Sequence, residues 1–264
     1  DVDMVSITGS TRAGVAVAQA AAPTVKRVAQ ELGGKSPNVI LPDADLSKAV
    51  PPGVASAMRN VGQSCSAPTR MIVPRTRLAE VEALAIAAVA DIRVGDPTDP
   101  ATTHGPSSNR AQYHRVQTMI QTGIDEGAKL LIGGPGRPEG LARGFFSKPT
   151  IFSEVSTDMT VAQEEIFGPV VCVQSFDDLD EVLDSMRSVP AGGHHLGTEH
   201  TLANFQTAFS MPEMMNSDNY EQWLADGSQS AEERATARCR QMLPIAARCR
   251  QMPPEPFGGI PTLA

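Results

Sequence analysis

The feature that most constrains this chain is an alternation of strand-like and helix-like segments, which continues to about residue 185. Short apolar runs such as "DMVSITGS" and "GPVVCVQSF" are typical of strands, whereas "LAEVEALAIAAVADI" and "NRAQYHRVQTMIQTGIDEGA" have the length and spacing of helices. Strands that alternate with helices pack best as a sheet whose strands run mostly parallel. The pattern therefore predicts an α/β fold with a mostly parallel sheet.

Turn and cap residues predict where several of these elements begin and end. Pro23 interrupts the alanine-rich helix that follows "DMVSITGS", and a second strand is expected at "KRVAQEL". The segment "SPNVILPDADLSKAV" predicts a strand, a turn and a helix, with Asp43 or Asp45 as the N-cap. A later helix is expected to end at Gly127, followed by strands at "KLLIGG" and "GFFSKPTIFSEV".

Charge and cysteine usage exclude several classes of partner. The formal net charge of −8 argues against a nucleic-acid or anionic-membrane binder, because both need a basic surface. Neither a signal peptide nor an apolar run long enough to cross a bilayer is recognisable, so we expect a cytoplasmic protein. The four cysteines form no CxxC pair, which favours reduced thiols over disulfides or a zinc site.

Cys65 lies in the polar loop "NVGQSCSAPTR", just before the strand-like run "MIVP". A lone cysteine is more often a small buried residue than a nucleophile, so Cys65 taken alone is ambiguous. The segment "ELGGKSPN" supplies Glu31, which by itself could be an ordinary solvated carboxylate. It also supplies Gly33 and Gly34, which permit a ligand to approach the backbone closely.

Six segments, in this order, closely resemble the NAD(P)-dependent aldehyde dehydrogenase family over approximately residues 1–180. They are "TGSTRAG", "ELGGKSPN", "NVGQSCSAPTR", "VGDPTDPATTHGP", "GFFSKPTIF" and "EEIFGPVV". The resemblance implies a partial aldehyde dehydrogenase-like fold, an aldehyde as the small-molecule substrate and NAD or NADP as the cofactor. It also implies oxidation of the aldehyde to a carboxylic acid.

The resemblance assigns roles to individual residues. Cys65 is implied as the nucleophile that forms a thiohemiacetal and then a thioester, and Glu31 as the base that activates water for hydrolysis. The residues implied to contact the cofactor are Thr8, Gly9 and Ser10 at a strand-to-helix turn, Gly33, Glu165 at the nicotinamide ribose and Phe167 beside the nicotinamide. The alternative for Glu165 and Phe167 is that their segment, "EEIFGP", is simply a loop with a buried phenylalanine.

The same resemblance predicts that the chain has three parts. Residues 1–33 are expected to be a remnant of a Rossmann-like cofactor domain, residues 34–185 a catalytic domain and residues 186–264 a divergent tail of loops and helices. Roughly residues 191–243 look like the C-terminal end of the trimethylamine methyltransferase family, through "GTEHTL", "NYEQW" and "ERA". The tail histidines His194, His195 and His200 lack further ligands at metal spacing, so no metal is expected.

Three functional hypotheses follow. The first is an aldehyde dehydrogenase family oxidoreductase, whose incomplete chain is expected to be a poor enzyme by itself. The second is a fragment of a corrinoid-dependent trimethylamine methyltransferase-family protein, and the third is a non-catalytic fusion fragment. The extent of the resemblance favours the first. An unpaired sheet edge would also favour a homo-oligomer or a partner chain.

Overall fold

The computed structural model describes residues 2–187. Apart from residues 186 and 187, the predicted tail, with its histidines and with Cys239 and Cys249, lies outside the described residues. The strands are β1 Met4–Gly9, β2 Arg27–Leu32, β3 Pro37–Val39, β4 Arg70–Pro74, β5 Lys129–Ile132, β6 Thr150–Ser153 and β7 Val170–Phe176. The helices are α1 Thr11–Ala21, α2 Leu46–Met58, α3 Leu78–Val89, α4 Arg110–Asp125, α5 Thr160–Gln163 and α6 Leu179–Arg187.

The described strands form two sheets. Strands β1 and β2 pair in parallel, and the other strands form a sheet in the order β3-β4-β7-β6-β5. Every neighbouring pair of the larger sheet is parallel except β5 and β6, which are antiparallel. The predicted α/β fold with a mostly parallel sheet is confirmed. The assignment of residues 1–33 and 34–185 to separate domains stays a prediction.

Local chemistry sets the ends of the helices where the sequence predicted them. The Asp45 carboxylate accepts a hydrogen bond from the Ser47 amide at 3.1 Å, so Asp45 rather than Asp43 caps α2. Helix α1 ends at Ala21, and a short 3₁₀ turn containing Pro23 follows. Helix α4 ends at Asp125, and Gly127 then adopts a φ of 92°, a left-handed conformation that glycine tolerates.

Helices cover both faces of the larger sheet. On one face α2 and α3 pack against the strands, burying Val54 and Val81 against Val171 of β7. On the other face α4 and α5 bury Ile120 beside Cys172 of β7. Alternate residues of β7 enter the two cores because successive side chains of a strand point to opposite faces. The larger sheet is therefore packed on both faces, and its strands position the loops at its edges.

Candidate active site

Three of the sequence motifs precede neighbouring strands of the larger sheet. "ELGGKSPN" leads into β3, "NVGQSCSAPTR" leads into β4 and "EEIFGPVV" leads into β7. These strands are adjacent and parallel, so their amino ends lie at the same edge of the sheet. The fold therefore brings together three segments that are far apart along the chain.

The backbone just before Cys65 is strained. Asn60, Val61 and Gly62 have φ angles of 53°, 61° and 67°, which lie in the left-handed region. A β-branched residue such as Val61 is rarely found there. Such strain persists only where the surrounding structure enforces it, and it is concentrated at functional sites. The turn ends three residues before Cys65, whose side chain is exposed.

Contacts on both sides hold this turn. The Asn60 Nδ2 group donates to the Gln63 carbonyl oxygen at 2.9 Å, and Gln63 Oε1 accepts a hydrogen bond from the Ser108 amide at 2.8 Å. A Cβ atom on Gly62 would overlap the carbonyl oxygen of Gly168. Glycine is therefore required at position 62, both by its φ angle and by the adjacent loop.

Helix α4 holds that adjacent loop, which carries Glu165 and Phe167. Gln112 Nε2 donates to the carbonyl oxygens of Ile166 at 2.9 Å and Phe167 at 2.8 Å. Arg115 Nη2 donates to the Glu165 carbonyl oxygen at 2.7 Å. Phe167 has a φ of 57°, so this loop also contains left-handed backbone. One rigid helix thus sets the position of two predicted cofactor residues.

The Glu165 side chain lies against the segment that follows β2. A Cβ atom on Gly33 would overlap Glu165 Oε2, and the Gly34 amide donates a hydrogen bond to the carboxylate. Burial raises the pKa of Glu165, whereas the Gly34 amide and the charges of Arg115 and Lys35 oppose the rise. Gly33 is therefore required by a carboxylate of the protein itself. Its predicted contact with a cofactor stays a prediction.

Thr8 and Glu31 are register partners in the small parallel sheet. Both are exposed, and paired residues of neighbouring strands point to the same face. Ser10 follows β1 and caps α1, with its Oγ accepting from the Ala13 amide at 3.3 Å. This cap is a role of Ser10 that the sequence analysis missed. Within residues 2–187 no hydrogen bond joins Glu31 directly to Cys65.

The two cysteines of the described segment have opposite environments. Cys65 is exposed and Cys172 is buried within β7. The Cys172 thiol donates to the Val161 carbonyl oxygen at 3.2 Å, and burial raises its pKa. A buried, protonated thiol is a poor nucleophile. Of these two thiols, Cys65 is therefore the one available to a substrate.

Three residues around the site were missed by the sequence analysis. Gln112 and Arg115 both reach the loop that carries Glu165, and their spacing of three on a helix could have indicated a shared face. Lys35 belongs to the "ELGGK" segment, yet its burial is not visible in the sequence. The surroundings of these residues are formed by segments that are distant in the sequence.

The described part of the chain offers neither a metal site nor a membrane span. No group of three or more histidine, cysteine, aspartate or glutamate side chains there is arranged to hold a metal ion. No helix among residues 2–187 combines the length and the apolar character needed to cross a membrane.

Comparisons with known proteins identify the family. The sequence model described as "Aldehyde dehydrogenase family" matches residues 1–195. A 3-succinoylsemialdehyde-pyridine dehydrogenase from Pseudomonas is 56% identical over 183 residues, covering 69% of this chain and 38% of that protein. The chain therefore belongs to the aldehyde dehydrogenase family, and it spans less than two fifths of this relative's length.

Solved structures agree. A cysteine-to-alanine mutant of aldehyde dehydrogenase C from Pseudomonas syringae, in complex with NAD⁺ and octanal, is 63% identical with a TM-score of 0.70. The match covers 71% of this chain and 39% of that one. An aldehyde dehydrogenase from Mycobacterium tuberculosis complexed with NAD⁺ is 44% identical with a TM-score of 0.67, covering 70% and 38%. Nicotinamide cofactors thus accompany this fold in the solved relatives.

A second family model, "Trimethylamine methyltransferase", matches residues 156–253. It includes the stretch 191–243, where the sequence predicted this resemblance, and the resemblance is confirmed. That stretch lies outside the described residues. In the described part of the match, β7 is the middle strand of the five-stranded sheet. Residues 156–187 are therefore an integral part of the α/β fold that the aldehyde dehydrogenases share.

Proposed function

We propose that this chain contributes the reacting cysteine, and the nicotinamide end of the cofactor site, to an enzyme that oxidises an aldehyde to a carboxylic acid with NAD or NADP. The observation that carries the proposal is the contact between Gly62 and Gly168. It holds the loop of Cys65 against the loop of Glu165 and Phe167. A homo-oligomer or a partner chain at the unpaired sheet edge remains part of the proposal.

Cys65 acts as the nucleophile in this proposal. Its thiolate sulfur bonds to the aldehyde carbon, and the carbonyl oxygen takes up the electron pair, which gives a tetrahedral thiohemiacetal on the protein. When bound, the nicotinamide ring supplies the acceptor for the hydride that leaves this carbon. The product on Cys65 is a thioester. The strained turn at residues 60–62 fixes the backbone that leads to the sulfur.

Glu31 acts as the general base that completes the reaction. Its carboxylate takes a proton from a water molecule as the water oxygen attacks the thioester carbon. The carbon–sulfur bond then breaks, and the acid leaves while Cys65 regains its thiolate. Glu31 lies exposed near the carboxyl end of β2, beside Thr8, so water can reach it.

The residues present fit a nicotinamide dinucleotide. Glu165 Oε1 is buried and has no hydrogen-bond partner among the described residues, so it can accept from a ribose hydroxyl group. Gly9 and Ser10 lie where β1 leads into α1, and the amides and dipole at a helix start favour a pyrophosphate. Thr8 and Phe167 would contact the nicotinamide, and Gly33 leaves room for Glu165.

The test is a mass measurement on the intact protein after incubation with octanal and NAD⁺. We expect an adduct that maps to Cys65 and disappears in Cys65→Ala. In Glu31→Gln the thioester should accumulate, because only its hydrolysis needs the base. The proposal is contradicted if the adduct maps to another residue, or if Glu31→Gln hydrolyses the thioester as fast as the wild-type chain.

One observation favours a second candidate, a methyltransferase role, namely the family match over residues 156–253. Trimethylamine and a corrinoid protein would then be the substrates. A methyl-transfer assay with both separates the two candidates. We expect no transfer, because β7 of the matched region is built into the dehydrogenase-like sheet. A chain active in neither assay would support the third hypothesis, a non-catalytic fragment.

A further inference from the structure

Lys35 is a charged side chain in a buried position. Only 3% of it is exposed, and its Nζ atom has no hydrogen-bond partner among the described residues. Lysine is almost never fully buried unless it is paired, because removing an ammonium group from water is unfavourable. Burial accordingly lowers the pKa of Lys35. A nearby anion would stabilise the charged form of Lys35.

Four groups act electrostatically on Lys35, and they come from four different elements. They are Cys172 of β7, Arg70 of β4, Glu165 of the loop before β7 and Arg115 of α4. The two arginines repel an ammonium group. Cys172 is a protonated thiol at neutral pH, because burial raises its pKa. Among these four, Glu165 is therefore the anion that can stabilise the charge of Lys35.

Glu165 has the complementary requirement. Its Oε1 atom is buried without a partner among residues 2–187, and burial raises the pKa of the carboxyl group. Its other oxygen occupies the space where Gly33 lacks a side chain, and the Gly34 amide donates to the carboxylate. Lys35 is the next residue along the chain. One short segment therefore supplies the space, a hydrogen-bond donor and a countercharge for the same carboxylate.

Arg115 is the second cation near Glu165, and it also contacts the neighbouring Glu164. Its Nη2 group donates to the Glu165 backbone carbonyl at 2.7 Å and lies 3.5 Å from Glu164 Oε2. That contact to Glu164 is largely exposed, so solvent screens it. The charge of Lys35 is buried and is screened much less. Both cations favour the ionised form of Glu165, Arg115 with the larger effect, and Lys35 adds its effect from a buried position.

We propose that Lys35 is a positioning residue that, together with Arg115, keeps the Glu165 carboxylate ionised where it lies over the Gly33–Gly34 backbone. An ionised carboxylate presents only acceptors, whereas a protonated one also presents a donor. Glu165 is thereby kept ready to accept hydrogen bonds from the nicotinamide ribose. The identity of that ligand rests on the proposed function, but the electrostatic effect of Lys35 on Glu165 does not.

The first test needs no ligand. The Glu165 carboxyl group is titrated by ¹³C NMR in the wild-type chain, with its signal assigned by its loss in Glu165→Gln. In Lys35→Met we expect the midpoint to move to higher pH, because the countercharge is gone, and in Lys35→Arg we expect it to return toward the wild-type value. Lys48→Met is the matched control, because Lys48 is 74% exposed, and it should leave the midpoint unchanged. Equal midpoints in the wild type and Lys35→Met would overturn the proposal.

The second test measures NADH binding by fluorescence between about pH 6 and about pH 9. At the acidic end Lys35→Met should bind about tenfold more weakly than the wild type, the scale of one lost hydrogen bond to a charged group. At the basic end the two affinities should converge. A purely structural defect would instead weaken binding equally at every pH, and that result would refute the positioning role.

Two controls keep the tests separate. If the wild-type chain does not bind NADH, the proposed function fails, while the carboxyl titration still decides whether Lys35 controls Glu165. If near-ultraviolet circular dichroism shows that Lys35→Met is misfolded, Lys35→Gln replaces it, since glutamine is neutral but can form hydrogen bonds. An unshifted Glu165 titration in folded Lys35→Gln would equally overturn the proposal.

Discussion

Replacing Gly62 by alanine is expected to separate the two loops of the candidate site. The new Cβ atom would lie 2.5 Å from the Gly168 carbonyl carbon and 3.1 Å from the Pro169 nitrogen, and it would overlap the oxygen of the same carbonyl. These are backbone atoms, which cannot turn aside as the end of a flexible side chain can. One of the two loops must therefore move.

The expected loss in the free energy of unfolding of Gly62→Ala has two parts, one from the backbone conformation and one from overpacking. Alanine at a φ of 67° is destabilised by about 1–2 kcal/mol relative to its preferred backbone conformations. Forcing an extra methyl group into a packed site adds about 1–3 kcal/mol. Gly127→Ala is the matched control, because Gly127 has a φ of 92° but no atom within 4 Å of the position that the added methyl group would take. Gly127→Ala should therefore show only the first part.

Urea unfolding followed by far-ultraviolet circular dichroism gives the free energy of unfolding of both variants. We expect Gly62→Ala to be less stable than Gly127→Ala by about 1–3 kcal/mol, the overpacking contribution. Amide hydrogen exchange should also become faster at residues 164–168 in Gly62→Ala alone. Equal destabilisation of the two variants, with unchanged exchange in that loop, would refute the contact between the loops.

Three other predictions concern reactivity, pH and turnover. Iodoacetamide should label Cys65 well before Cys172 in the folded protein, because one thiol is exposed and the other is buried and hydrogen-bonded; peptide mapping at short times checks this, and early labelling of Cys172 contradicts it. His104 Nε2 donates to the Met58 carbonyl oxygen at 2.9 Å, and burial lowers the pKa of His104. The stability that neutral His104 contributes is therefore fully present above its unfolded pKa of about 6.5, and it is lost as the pH falls through the lower pKa of the folded state. Unfolding at about pH 7.5 and about pH 5 should therefore show a smaller acid loss in His104→Gln than in the wild type, and equal losses would count against the assignment. The 264-residue chain alone should oxidise aldehydes far more slowly than about 1 per second, because the proposed contacts reach only the pyrophosphate and nicotinamide ends of the cofactor. An ordinary rate from a preparation free of any second chain would show this prediction to be wrong.

Local chemistry explains how much of the fold could be predicted from the sequence. The alternation of strands and helices, the N-cap at Asp45, the interruption at Pro23 and the helix end near Gly127 all depend on residues close together in the chain. Caps, turns and side-chain periodicity act over a few residues, so they are visible without a structure. The family was recognisable for a similar reason, because each of its motifs is short and continuous.

The sequence by itself thus determined the element order, the family and the short list of chemical residues that begins with Cys65. Only the tertiary structure decided which of these segments meet. Strand order is set by packing between distant parts of the chain, and no local pattern places β7 beside β4. That order brings Gly62 to Gly168 and Glu165 to Gly33. It also buries Lys35. The groups around Lys35, from Arg70 to Cys172, follow it in the sequence by 35 to 137 positions. Its burial therefore cannot be predicted from the residues next to it in the sequence.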